Sequence, residues 1–223
     1  MSFVLFCLYL HYKSFHYLIM PSEINRNSFI LSLMLLLFTA CEVNHTSNVD
    51  GVEINGVVWA KANIDSPGTF ASTPESAGLF YQWNKKIGWS TTNPLISTNG
   101  DVIWDKMPDT GDKWGRSKDP SPVGWRIPTV EDFESLLDDS RVKREWINQN
   151  GVKGYRFTDL MTSNSIFLLE CGYRDGDGGL LSKNGFYYWT STKYTESFAR
   201  YFNGEMSPTY YRRAGFSIRC VVK

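Results

Sequence analysis

DPSPVGWRIPTVEDFESL, Asp119–Leu136, is the stretch on which the fold class turns. Pro128-Thr129-Val-Glu-Asp132 is a helix start: Thr129 is an N-cap, and Glu131 and Asp132 set negative charge against the positive end of the helix dipole. Phe133, Leu136 and Leu137 supply the face that such a helix buries, and a second helical piece is expected near Lys143–Asn148. On the N-terminal side, Gly88–Val123 is turn chemistry (TTNP, STNGD, PDTGD, KDPSP) studded with Trp89, Trp104 and Trp114. Loops of that length usually carry function or are packed by their own side chains. Further upstream, Val52–Val58 alternates as a first strand ahead of Trp59, and Ser72–Glu75 opens a short helix. Gly78–Asn84 (GLFYQWN) fits helix or strand spacing equally. After Gly151 the pattern turns to strands over Tyr155–Thr158, Ser165–Tyr173, Phe186–Thr192, Ser197–Phe202 and Phe216–Val222. One strand, irregular aromatic loops, a helix and then antiparallel-type strands make an α+β domain.

The chain of 223 residues has room for one domain with a proper core. Its 23 basic and 23 acidic residues balance, so it has no basic excess with which to neutralise nucleic-acid phosphates. Aromatic residues at 15%, with eight Trp, point to a loop-rich domain held by large aromatic anchors.

Ahead of the domain, Phe29–Ala40 is apolar apart from Ser32 and Thr39, and too short to span a bilayer, which takes about 20 apolar residues. It reads as the apolar core of an export signal, preceded by Arg26. Phe38-Thr39-Ala40-Cys41 resembles a bacterial lipobox, so residues 1–40 are expected to be a signal region and Cys41 the acylated N-terminus. An ordinary signal peptide with a chance Cys is the alternative. Met20 opens a compact charged segment, so translation is expected to start there and Met1–Ile19 to lie outside the native chain. Residues 41–50 form the acylated end and a polar tether, and 51–223 the folded domain. The partner implied is a lipid bilayer, and the address the cell envelope, anchored to the outer membrane and open to the surface.

His45 lies in the tether, so Gly51–Lys223 contains no histidine. That excludes Ser-His-Asp and Cys-His catalysis within one subunit and, with few cysteines, argues against a zinc site. No cofactor is expected. Cys171 and Cys220 each sit on the apolar side of a strand-like alternation, in a chain expected to be exported to where disulfides persist. A Cys171–Cys220 bridge is expected, with two buried free thiols as the alternative.

Six motifs in order carry a family resemblance: WAKANI (Trp59–Ile64), GLFYQWN, DPSPVGWRIPTVEDFESL, CGYR (Cys171–Arg174), YYWTST (Tyr187–Thr192) and GFSIRCV (Gly215–Val221). Together they resemble the Fibrobacter succinogenes major paralogous domain (FISUMP) family over nearly all of Gly51–Lys223. The resemblance implies a C-type-lectin-like fold, shared with formylglycine-generating enzymes: antiparallel strands, one or two helices and long aromatic-rich loops. Ser121 stands where the family commonly has Cys before Pro-x-Gly-Trp. Glu170-Cys171 stands where it commonly has small apolar residues before Gly-Tyr-Arg. If the family's usual bridge joins the first position to the GFSIRC cysteine, the resemblance implies a relocated partner for Cys220.

Trp125 and Trp189 are expected to pack, and Arg126 and Arg219 to pair with Glu or Asp. Arg174-Asp175-Gly-Asp177-Gly-Gly179 has two carboxylates, Asp175 and Asp177, in a partial calcium-loop pattern. It lacks a third acidic ligand and a closing Glu, so turn composition accounts for it. The Glu-Pro-Asn, Gln-Pro-Asp and Trp-Asn-Asp motifs of calcium-dependent sugar binding are absent. The surface expected to meet a ligand is an aromatic-basic cluster, Tyr194, Tyr210, Tyr211, Arg212 and Arg213. These readings favour an anchored, non-catalytic binding module for a glycan or protein. The alternatives are a carboxylate-dependent or formylglycine-type enzyme, and a structural subunit of a surface fibre or adhesin.

Overall fold

Asn55 and Gly56 both have positive φ, 47° and 79°, as the two central positions of a type I′ turn require. They join β1 (Gly51–Ile54) to β2 (Val57–Ala60) with Ile54 opposite Val57, so the run expected as one strand is a tight hairpin. The computed structural model describes residues 50–181 and 185–223. The signal region 1–40, the start at Met20, Cys41 and tether residues 42–49 lie outside the described residues.

Ser72–Glu75 is a bend and turn, not a helix. GLFYQWN resolves as β3 (Phe80–Gln82), buried on every residue and paired with β4 (Gly88–Trp89). The long stretch that follows contains only a 3-10 turn at Arg116–Lys118 and two-residue β5 (Trp125–Arg126). Its own aromatic side chains order it: Trp104 packs on Trp89 at 4.9 Å and Trp114 on Trp83 at 5.6 Å.

Helix α1 (Val130–Glu134) begins where the sequence places it. Thr129 accepts from the Asp132 N–H, and the Asp132 carboxylate accepts from the Thr129 N–H. A 3-10 turn at Ser135–Leu137 extends it, with Phe133 and Leu136 in the core. The second helical piece is absent: β6 (Val142–Gln149) pairs along its whole length with β7 (Val152–Asp159), and β7 with β8 (Ser165–Leu169). Eight consecutive cross-strand partners outweigh whatever helical leaning KREWINQ has alone.

The rest of the chain forms β9 (Tyr173–Arg174), β10 (Leu180–Leu181), β11 (Tyr188–Lys193), β12 (Phe198–Phe202), β13 (Thr209–Tyr211), β14 (Gly215–Phe216) and β15 (Val221–Val222). The sheets run β1-β2-β15-β5, β10-β9-β14-β3-β4, β11-β12-β13 and β6-β7-β8, and their strand pairs are antiparallel. The described residues are mostly antiparallel β with one short helix, a strand-rich form of α+β. None of their helices is long and apolar enough to cross a membrane.

The β11-β12-β13 sheet lies between two aromatic clusters. Tyr188 and Phe202, opposite each other across β11 and β12, face Phe133, Phe157 and Trp59. Trp189 and Tyr201, the next pair, join Trp83, Trp125 and Phe216. Alternation along two strands thus supplies both clusters, and Trp125 and Trp189 are packing residues as expected.

Candidate functional site

On β12 and β13 the register sets Ala199 opposite Tyr210 and Phe198 opposite Tyr211, so the two tyrosines leave on opposite faces. Tyr210 turns to the Phe216 side. Its hydroxyl lies 3.2 Å from that of Tyr173, and its ring packs edge-on against Tyr173. Tyr173 in turn meets Tyr187 at 4.3 Å, and Tyr187 stacks on Tyr201. Four half-buried tyrosines therefore form one continuous array over Phe216. Burial raises the phenol pKa of Tyr210, Tyr187 and Tyr201, and keeps them neutral.

Tyr211 faces the other way and is 45% exposed. Its ring packs on Phe198 at 4.5 Å, and the Arg213 guanidinium sits 5.4 Å from its centroid. Tyr194, 55% exposed, carries the Arg200 guanidinium at 4.8 Å, while Arg200 also donates to the Ser207 carbonyl. Two tyrosine–arginine cation–π pairs thus sit at the β11-β12-β13 sheet and its ends, each worth about 0.5–1 kcal/mol at an exposed site. Arg200 lies two residues along β12 from Phe198, on the same face, and the sequence reading passed over it. Strand alternation was the signal that would have found it.

Arg212 does not belong to this surface. It is fully buried, stacks on Trp83 at 4.1 Å, and donates to the Asp109 and Gly111 carbonyls. The chain turns directly after β13, which sends this side chain inward between exposed Tyr211 and half-buried Arg213.

Arg213 meets the other sequence candidate. A side chain at Gly176 would collide with its Nε, so only glycine lets the Asp175–Gly179 loop approach this closely. The two acids of that loop are otherwise engaged. Asp175 Oδ1 accepts from the Asp177 and Gly179 N–H groups at 2.9 Å, and Asp177 pairs with Lys106 at 3.3 Å. Among the described residues no three His, Cys, Asp or Glu side chains come together as a metal would need. The loop is a structural turn against the arginine.

Both cysteines are buried and free, which corrects the expected bridge. Cys171 Sγ lies 3.5 Å from Ser217 Oγ, and Cys220 Sγ donates to Ser121 Oγ at 3.3 Å. Cys220 thus faces Ser121 and not Cys171, so the relocated partner expected from the resemblance is not made. Burial raises the Cys171 pKa and pushes that of Cys220 up to about 12. Burial thus favours the neutral thiol over the thiolate at both positions.

Arg126 pairs with Asp132 at 2.5 Å as expected, and the Asp132 pKa is lowered. Burial opposes that shift, but the Arg126 and Thr129 hydrogen bonds outweigh it. Among the described residues Arg219 has no acid partner. It donates to the Ala60 and Lys61 carbonyls and to Asn63 Oδ1, because its place in the core brings backbone oxygens rather than carboxylates within reach.

Two clefts open elsewhere. One, of about 260 Å³, is lined by Lys113, Trp114, Asp119, Arg126, Ile127, Thr129 and Ser191. The other, of about 370 Å³, lies along the β6-β7-β8 sheet, with Arg156, Gln149 and Phe167 in its wall. No family model matches the chain, and neither does any curated protein or solved structure.

Proposed function

We propose that this chain is a lipid-anchored envelope protein whose domain is a non-catalytic binding module for a glycan or protein ligand. The ligand docks on the face formed by Tyr194, Arg200, Phe198, Tyr211 and Arg213. The observation that carries this is the pair of exposed tyrosines, each with an arginine guanidinium already over its ring. Tyr and Arg side chains supply large contact area and directional donors, and prior ordering lowers the entropic cost of association. The same sheet buries Tyr210 behind the face, so the platform is backed by packed rings.

The domain is read as C-type-lectin-like and FISUMP-like from its six ordered motifs, and antiparallel sheets with long, Trp-anchored loops are compatible with that reading. A formylglycine-type reaction would need a reactive thiol or a copper site. Two buried thiols of raised pKa argue for binding instead. The Cys41 anchor and the outer-membrane address rest on the lipobox.

The test is a screen of the purified protein on a glycan array, with a parallel pull-down from surface-protein extracts. Saturable capture of a defined glycan or protein is the expected result. Failure of both, with glycan turnover detected instead, would favour the carboxylate-enzyme alternative.

A further inference from the structure

The β6–β7 register sets Glu145 directly opposite Arg156, the usual arrangement for a cross-strand ion pair. The pair is not made. Lys143 takes the Glu145 carboxylate at 2.8 Å, and Arg156 has no acid within ion-pair distance among the described residues. The hydrogen bond that Arg156 does make is long, from Nη2 to Gln149 Oε1 at 3.4 Å. Gln149 is itself fixed by donating to Glu75 at 2.8 Å, where Asn150 donates too. That carboxylate therefore orients the amide and leaves the guanidinium uncommitted.

Arg156 lines the 370 Å³ cleft, a volume within the range of small-molecule sites. Phe167, opposite Arg156 in the β7–β8 register, joins Val52 and Pro74 as apolar wall, and Ser165 adds a hydroxyl. Lys61 also lines the cleft, but it is more than half exposed and its ammonium pairs with Asp50 at the surface. The cleft thus presents one uncommitted positive charge, fork-shaped, beside apolar surface.

We propose that this cleft is a binding site for a small organic carboxylate. Its two oxygens take the planar donors of Arg156, a bidentate geometry that a guanidinium matches and an ammonium does not. Its apolar body lies on Phe167 and Val52. A planar monoanion matches the single guanidinium fork, whereas the second charge of a phosphate dianion would meet only Lys61, a solvated side chain at the surface. The site shares no residue with the Tyr–Arg face and stands or falls independently of it.

The test is calorimetric titration of the purified protein with glucuronate, benzoate and hexanoate, each against its neutral counterpart (glucose, benzamide, hexanamide), and with inorganic phosphate. At least one carboxylate is expected to bind tenfold or more tightly than its neutral counterpart and than phosphate. Arg156→Gln should weaken that binding at least tenfold, Arg156→Lys should restore it only in part, and Lys61→Gln should change it less than threefold. The proposal is overturned if none of the three carboxylates binds, if phosphate is preferred, or if Arg156→Gln with an unchanged melting curve binds as the wild type does.

Discussion

Three arginines at the residue scale explain how a domain so poor in regular structure is held. Arg174, Arg212 and Arg219 are 1% exposed or less, and none has a carboxylate partner among the described residues. Each fixes irregular backbone by donating to carbonyls: Arg174 to Ser90, Thr92 and Gly178, Arg212 to Asp109 and Gly111, Arg219 to Ala60 and Lys61. A buried cation needs polar partners, and here loops and the end of β2 supply them. Burial lowers the pKa of all three, yet an arginine remains charged at any physiological pH. Acid acts elsewhere, at Asp159. The Asn55 and Thr162 N–H groups hold its carboxyl down at about 2, against about 3.9 for an unfolded Asp. The folded pKa is the lower one, so this contribution is whole above about pH 4 and fades between about 4 and 2. Melting curves at about pH 6 and pH 2.5 should show the wild type losing stability, and Asp159→Asn losing less across that interval. A second prediction concerns Ser121. Its Oγ lies 3.3 Å from Cys220 Sγ, so Ser121→Cys should oxidise to a bridge and stabilise the fold by about 2–4 kcal/mol. Intact mass after alkylation without reductant reads the bridge, and two free thiols at those positions would contradict it.

Elements differed in how far the sequence revealed them, and the reasons are local. The helix was legible because Thr129, Asp132 and Phe133 act within one turn, and no distant contact is needed to explain it. Strand β6 was not, because KREWINQ has charged residues at successive positions and its identity comes from pairing with β7. The cross-strand charges Lys143, Glu145 and Arg156 became meaningful only with that register, and so did the cleft. Asn55-Gly56 is the opposite case: an Asn-Gly between alternating residues signals a hairpin, and the extended reading of Val52–Val58 overlooked it. Gly56→Ala should therefore cost about 1 kcal/mol through its left-handed φ alone, with open space around the added methyl. A denaturant midpoint unchanged from wild type would contradict that origin. Of the five candidate ligand residues, Tyr194 and Tyr211 are exposed and Arg213 is half-buried beside Tyr211, while Tyr210 turns to the Phe216 side and Arg212 is a loop staple. Composition marked the cluster, but only strand direction sorts its members.

At the scale of the whole described domain the chain closes on itself: β15 pairs with β2 of the first hairpin and with β5. The sheet that carries Phe198, Arg200 and Tyr211 packs residues into both aromatic clusters. In the proposed account this rigid body hangs from an acylated Cys41. Cells fed labelled fatty acid should label the protein, and Cys41→Ser should abolish the label and release the protein from the membrane fraction. Persistence of either would contradict the anchor. The central claim is that the exposed tyrosine–arginine pairs are the ligand surface, and it is tested most directly by measuring capture of the screened ligand by Tyr211→Ala/Arg213→Ala beside the wild type at matched melting temperature. A loss of affinity of tenfold or more, about 1.4 kcal/mol, is the result predicted. Undiminished capture by a variant that melts as the wild type does would contradict it.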